Sequence, residues 1–289
     1  MTSAVATARA LRDACDAWRA QGHRVGLVPT MGALHEGHLS LIDAARARGA
    51  QHIVVSIFVN PLQFGPQEDL ARYPRTFEQD LAACAARGVD LVYAPAAAAV
   101  YATGFQTHVE VESLTREYEG AVRPTHFRGV TTVVAKLLHA TGPCLACFGR
   151  KDYQQLRAIA TMVRDLDMPV DVIECPTVRE ADGLALSSRN RYLAPEQRKR
   201  ATALVRGLRA ADAVWRDGER DASRLEALAR ATLDAELDAV DYAALADAED
   251  LTRVTGSARD RSVVLLVAGR LGSTRLLDNA ILGEPWPIP

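Results

Sequence analysis

No apolar run in this chain approaches the ~20 residues that a membrane-spanning helix needs. The first residues lack a charged start followed by an apolar core, so no secretory signal is expected. Cysteine is scarce: five in 289 residues, scattered at Cys15, Cys84, Cys144, Cys147 and Cys175. A small odd number argues against a secreted disulfide framework and points to a reducing compartment, with the cytoplasm as the expected address. Cys144 and Cys147 are spaced as C-x-x-C, but they fall in a strand-like run. Strand residues three apart face opposite ways and cannot grip one metal. No second pair completes a zinc site, so all five read as packing cysteines. Neither charge is in marked excess: 34 Lys and Arg against 36 Asp and Glu leave a net charge of -2. That removes the global basic field that draws in nucleic acid. No G-x-x-x-x-G-K-[ST] phosphate loop occurs, and His35-Glu36-Gly37-His38 lacks the four-residue spacing of a zinc-protease helix.

What is present is a folding signal centred on residues 25–42. A valine-rich run stops at Pro29, a loop with Gly32 follows, then His35 and His38, then an apolar pattern of helical period. This predicts strand, tight loop and helix N-terminus. Backbone N–H groups and the positive end of the helix dipole favour an anion there, and two imidazoles add donors. Two ordinary loop histidines at a solvated helix start fit the local pattern equally well.

Strand, helix, strand repeats at least four times between residues 25 and 174, with strands at 25–29, 52–59, 89–94, 144–148 and 170–174. A helix over 4–20 precedes them, and a weak alternating strand is expected at 107–111. This is the signature of a parallel sheet covered on both faces, an α/β Rossmann-like fold. Ligands of such sheets bind beyond the carboxyl ends of the strands. The unusual polar loops 29–38, 60–65 and 149–152 all lie at such ends. After Pro176 the pattern changes to a hairpin with an Asp182-Gly183 turn, helices from Pro195 and from Asp221, and three strand-like runs. A Rossmann-like domain over 1–177 and a smaller α+β domain over 178–289 are expected.

Several side chains have both a chemical and a bland reading. Lys151-Asp152 offers a cation and a carboxylate, or only a helix-start charge and cap. Ser187-Ser188-Arg189 could clamp a triphosphate, or form an ordinary loop. Gln63 and Gln155 could bind a polar acid or lie at the surface, and Gln155 follows Asp152 by one helical turn. Asp80 reads as a solvated helix residue. His126 sits between Arg123 and Arg128, either facing a phosphate or in an exposed basic turn.

Four blocks join these residues: Pro29 to His38, Asn60-Pro61-Leu62-Gln63-Phe64, Gly149 to Gln155, and Leu186-Ser187-Ser188-Arg189-Asn190. In this order and spacing they closely resemble the pantothenate synthetase family, and the likeness extends through Tyr73–Thr76 and 123–129. H-x-G-H alone indicates only the wider adenylyl-transfer superfamily. The resemblance implies ATP- and Mg²⁺-dependent condensation of pantoate with β-alanine through a pantoyl-adenylate, by a homodimer whose C-terminal domain closes over the ATP site. It implies ATP contacts for Pro29, Met31, Gly32, Ala33, Leu34, His35, Glu36, Gly37 and His38. Gly149, Arg150, Lys151, Asp152, Val178, Leu186, Ser187, Ser188 and Arg189 would complete that site. His38, His35, Lys151 and Arg189 would carry the chemistry. Gln63, Gln155 and Met31 would hold pantoate, Gln63 would also meet β-alanine, and Asp80 would lie by the metal. Leu186 stands where the family commonly has methionine and Arg150 where glutamate is frequent, so adjusted affinity is expected. The alternatives are a nucleotidylyltransferase or amino-acid-activating enzyme on the same scaffold, or a non-catalytic ATP-binding module.

Overall fold

A computed structural model describes residues 2–66 and 68–286. The first half runs β1 (Ser3–Val5), α1 (Ala8–Arg19), β2 (Val25–Thr30), α2 (Glu36–Ala47), β3 (His52–Ile57), α3 (Phe77–Ala86) and β4 (Leu91–Tyr93). Two short helices follow, α4 (Ala97–Val100) and α5 (Glu119–Val122), then α6 (His126–Thr141), β5 (Cys144–Gly149), α7 (Tyr153–Asp165) and β6 (Val170–Cys175). All six strands are parallel, in the order β1-β4-β3-β2-β5-β6. The chain winds outward from β2 through β3 to β4, then returns to place β5 on the other side of β2. The reversal between β2 and β5 opens a crevice beyond their carboxyl ends.

Alternation along each strand feeds two apolar layers. Leu27, Val54 and Ala146 pack with Leu11, Leu137 and Ile159 from α1, α6 and α7. Val28, Val55 and Leu145 pack on the opposite face with Ile42 and Cys84 from α2 and α3. Cys144 lies in the first layer and Cys147 in the second, and all five cysteines are free and buried.

The second half contains α8 (Pro195–Arg200), α9 (Ala203–Arg216), α10 (Ala222–Asp234), β7 (Ala239–Asp247), β8 (Val263–Leu271) and β9 (Thr274–Ile281). The strands form an antiparallel sheet in the order β7-β8-β9. Its inner face packs on α9 and α10, through Leu208, Leu233 and Leu265 among others. The other face, with Ala244, Ala246 and Leu266, meets Tyr118 and Tyr153 of the first half. Tyr153 donates to the Ala248 carbonyl at 2.7 Å and Tyr118 to the Leu251 carbonyl at 3.1 Å.

Four local expectations are corrected. Residues 3–5 form an edge strand, not the start of a helix, because β4 supplies a pairing partner. Residues 107–111 form no strand; Val109 is held by the side chains of Thr131 and Thr132 on α6. The helix expected from Pro195 is broken between α8 and α9, and the Asp-Gly hairpin is reduced to one bridge, Arg179 with Ala185.

Candidate active site

The loop after β2 is turned by a carboxylate from another element. Gly32 and Ala33 both adopt positive φ, 84° and 51°. Asp80, 3 % exposed on α3, accepts from the Ala33 N–H at 2.9 Å, the Leu34 N–H at 2.8 Å and the Thr76 hydroxyl at 3.1 Å. Its oxygens are committed to protein donors, and it lines neither cavity of the crevice. Asp80 therefore anchors the loop, and the metal-side role expected of it is decided by the magnesium titration set out in the Discussion.

This turn delivers His35 to the N-cap of α2 and His38 to its first turn. The His35 backbone N–H donates to His38 Nδ1 at 3.4 Å, which leaves the Nε2–H of a neutral His38 as donor. The rings lie 4.0 Å apart, and His35 Nδ1 is buried without a partner. Burial, then the positive charges of Lys151 and Arg191, lowers the His35 pKa to about 4. Burial and the neighbouring His35 lower that of His38 to about 3. Both imidazoles are neutral donors at neutral pH until an anion arrives to raise their pKa.

The crevice holds an inner cavity of about 210 Å³ and an outer one of about 660 Å³. Met31, Gln63, Lys151, Asp152, Gln155, Ser187 and Arg189 border both. Pro29, His35, Gly37, His38, Gly149, Val178, Leu186 and Ser188 line the inner one, with an apolar wall of Phe58, Val130, Val133, Val134, Leu137 and Phe148. Gly32, Ala33, Leu34, Glu36 and Arg150, expected at the nucleotide, line neither cavity. Gly32 to Leu34 form the anchored turn behind it. Glu36 pairs with Arg87, and Arg150 with Glu284 at 2.8 Å and Glu174 at 3.4 Å.

Gln63 ends a 3-10 turn (Pro61–Gln63) that sits directly on α6. A Cβ at Gly129 would lie 2.3 Å from the Leu62 carbonyl oxygen, so only glycine permits this approach. Asn60, 1 % exposed, donates to Gln63 Oε1 at 3.0 Å and accepts from Tyr101 at 2.8 Å. The Gln63 amide is thereby turned with Nε2 toward Met31, 3.0 Å from its sulfur. His126 is not in an exposed turn: it is buried at the edge of the outer cavity. Its buried Nδ1–H donates to the Gln63 carbonyl at 2.9 Å, and burial with the nearby Arg123 lowers its pKa to about 4.

On the outer side Arg189 is held by Asp69 in a fork, at 3.1 and 3.0 Å. Ser188 meets the Tyr73 hydroxyl at 3.2 Å. Lys151 Nζ lies 3.5 Å from the Asp152 carboxylate, whose side chain is 48 % exposed. Burial raises the Asp152 pKa, but Lys151 and Arg189 outweigh it and hold the group below the usual carboxylate range. Asn60, Asp69 and Tyr73 are the contributors that residue-by-residue reading misses. The only sequence signals were the Asn-Pro at a strand end and Tyr73 in a resembling block.

Three buried neutral histidines make stability sensitive to acid in a defined window. Unfolded, each takes a proton near pH 6.5; folded, His35 and His126 wait until about 4 and His38 until about 3. Between those values the unfolded chain binds more protons, so stability falls as pH falls from about 6.5 and levels off below the folded values. The urea midpoint of the ligand-free protein is expected to drop already between pH 7 and 5, above the range where carboxylates titrate. A midpoint constant to pH 5 contradicts the neutral burial of these rings.

The chain is similar to known proteins along nearly its whole length. The family model described as Pantoate-beta-alanine ligase matches residues 3–281. A pantothenate synthetase of Myxococcus xanthus is 54% identical over 266 residues, 92% of this chain and 91% of the relative. The crystal structure of the enzyme from Thermus thermophilus is similar with a TM-score of 0.90 and 46% identity, covering 99% of this chain and 100% of that one. The Francisella tularensis pantoate-beta-alanine ligase, complexed with beta-gamma ATP and beta-alanine, is similar with a TM-score of 0.80 and 31% identity, covering 99% of each chain.

Proposed function

The chain belongs to the pantoate–β-alanine ligase family, and we propose how its own residues join pantoate to β-alanine with ATP. The observation that carries this reading is the convergence of His38, Gln63, Lys151, Gln155 and Ser187 on one crevice at the ends of β2 and β5. Two half-reactions follow. The pantoate carboxylate attacks the α-phosphorus of ATP, forming pantoyl-adenylate and releasing pyrophosphate. The β-alanine amine then attacks the acyl carbon, forming the amide, releasing AMP and losing a proton to solvent.

The first step brings anion to anion, so catalysis is mostly positioning and charge stabilisation. Lys151 and Arg189 supply positive charge to the phosphates, and His38 Nε2–H donates to the α-phosphate, where negative charge grows. His35, the N-terminus of α2, and Ser187 and Ser188 complete the phosphate cradle. Gln63 and Gln155 hold the hydroxyls and carboxylate of pantoate without adding charge, while the valine and leucine wall takes its dimethyl carbon. Gln63 also guides β-alanine. The second step is intrinsically easy once the mixed anhydride is kept from water. Pro29, Met31, Gly37, Gly149, Asp152, Val178 and Leu186 line the nucleotide site, and 1–177 and 178–289 act as its two domains.

Mg²⁺ fits as an ion carried chiefly by ATP. Among the described residues no group of three His, Cys, Asp or Glu is poised for a metal, and Mg²⁺ commonly takes phosphates, waters and one or two carboxylates. Of the carboxylates lining the crevice, Asp152 is the one that borders both cavities and would meet it. When bound, the ion neutralises phosphate charge. A cytoplasmic address and a homodimer belong to the same reading: the free buried cysteines suit a reducing compartment, and light scattering reports the assembly.

The deciding assay is exchange of labelled pyrophosphate into ATP. Exchange is expected to require pantoate and to proceed without β-alanine. Exchange without pantoate, or with an amino acid in its place, sinks the assignment.

A further inference from the structure

The side chain of Asn279, on β9, crosses from the C-terminal domain to the turn that carries Lys151. Its Nδ2 donates to the carbonyl of Arg150 at 2.9 Å and to that of Lys151 at 2.8 Å. A primary amide has two N–H groups on one planar nitrogen, so each carbonyl takes one. The donor stands on a rigid base. Asn279 is 7 % exposed, and its backbone N–H is held by Asp278 Oδ1 at 2.8 Å. Asp278 is gripped by the buried Arg179 at 2.6 and 3.0 Å.

Apart from the pairs of Arg150 with Glu284 and Glu174, the receiving turn has little side-chain support of its own. Neither Gly149 nor Asp152 caps the helical segments they precede. The Lys151 ammonium meets only the half-exposed Asp152, at 3.5 Å, among the described residues. A four-carbon stem on such a turn has wide freedom unless its backbone is fixed.

We propose that Asn279 is a positioning residue for adenylation: it fixes the peptide planes on both sides of Lys151 and so sets where the ammonium meets the phosphates. This rests on the phosphate-binding role of Lys151 given above. It makes the C-terminal domain a participant in the first half-reaction through a contact with protein. Alanine would leave both carbonyls without this donor, and aspartate would set carboxylate oxygens against two carbonyl oxygens.

The test reads the half-reactions separately in the full-length chain. Pantoate-dependent pyrophosphate exchange reports the first, and reaction of preformed pantoyl-adenylate with β-alanine reports the second. By the cost of small misplacements, Asn279→Ala is expected to lower the exchange kcat about 10-fold and Asn279→Asp about 100-fold. KM for pantoate and the second half-reaction stay within about 2-fold of wild type, since neither uses the ammonium. Asn279→Gln keeps a two-proton donor on a longer arm and is expected to fall between wild type and Asn279→Ala. Should Asn279→Asp not fold, the other two variants decide by the same comparison. Equal losses in both half-reactions, or an unchanged exchange kcat in Asn279→Ala, overturns the proposal. A wild type without pantoate-dependent exchange overturns the functional reading, and this proposal with it; a working wild type with a silent Asn279→Ala overturns this proposal alone.

Discussion

His38→Ala is expected to fold like the wild type and to form pantoyl-adenylate roughly 100- to 1,000-fold more slowly, the usual cost of one preorganised donor. The geometry makes the expectation specific. With Nδ1 accepting from the His35 N–H, the neutral ring has a single orientation that offers Nε2–H. Its pKa near 3, set by burial and by His35, means the ligand-free imidazole enters as a donor and not as a cation. Two readouts follow. Substrate binding changes little, because Lys151, Arg189 and the helix N-terminus remain. The second half-reaction, supplied with preformed adenylate, is nearly untouched. Single-turnover formation of the adenylate at the wild-type rate removes His38 from the mechanism.

Asp80→Ala is expected to cost about 2–4 kcal/mol of stability, because it strips the Ala33 N–H, the Leu34 N–H and the Thr76 hydroxyl of their acceptor at once. ATP affinity falls with it, since the loop that sets His35 loses its anchor. The two roles for this carboxylate separate cleanly in a magnesium titration. A loop anchor loses stability whatever the Mg²⁺ concentration, and excess Mg²⁺ does not restore activity. Normal denaturant unfolding, with activity recovered by raised Mg²⁺, returns Asp80 to the metal.

The parallel sheet and three of its polar ends were legible because β-branched runs alternate with helical periods, and each run stops at a glycine, proline or charge. The crevice could be located for the same reason: the loops after β2, β3 and β5 are local features. What was illegible depends on partners far away in the chain. Asp69 and Arg189 lie 120 residues apart, and Asn279 and Lys151 are separated by 128. Nothing at either position announces the other. His126 misled for the opposite reason. Its arginine neighbours suggested an exposed basic turn, while tertiary packing buried the ring against the Gln63 carbonyl. At 107–111 the alternation was real, but among the described residues no strand lies alongside, and threonine hydroxyls from α6 satisfy Val109 instead.

The fork between Asp69 and Arg189 has a consequence for how nucleotide is received. The guanidinium proposed to meet the triphosphate already has an anion in its grip, with geometry suited to a phosphate oxygen pair. If Arg189 takes a phosphate as proposed, ATP does not meet a bare cation there but competes in a displacement. Withdrawal of Arg189 from bulk water has largely taken place during folding, so the contact formed on binding differs from the one lost mainly in the identity of the acid. Affinity at this corner becomes a contest between a tethered carboxylate and an incoming phosphate. On that proposed role, Asp69 would be a built-in competitor, limiting retention of pyrophosphate after the first half-reaction.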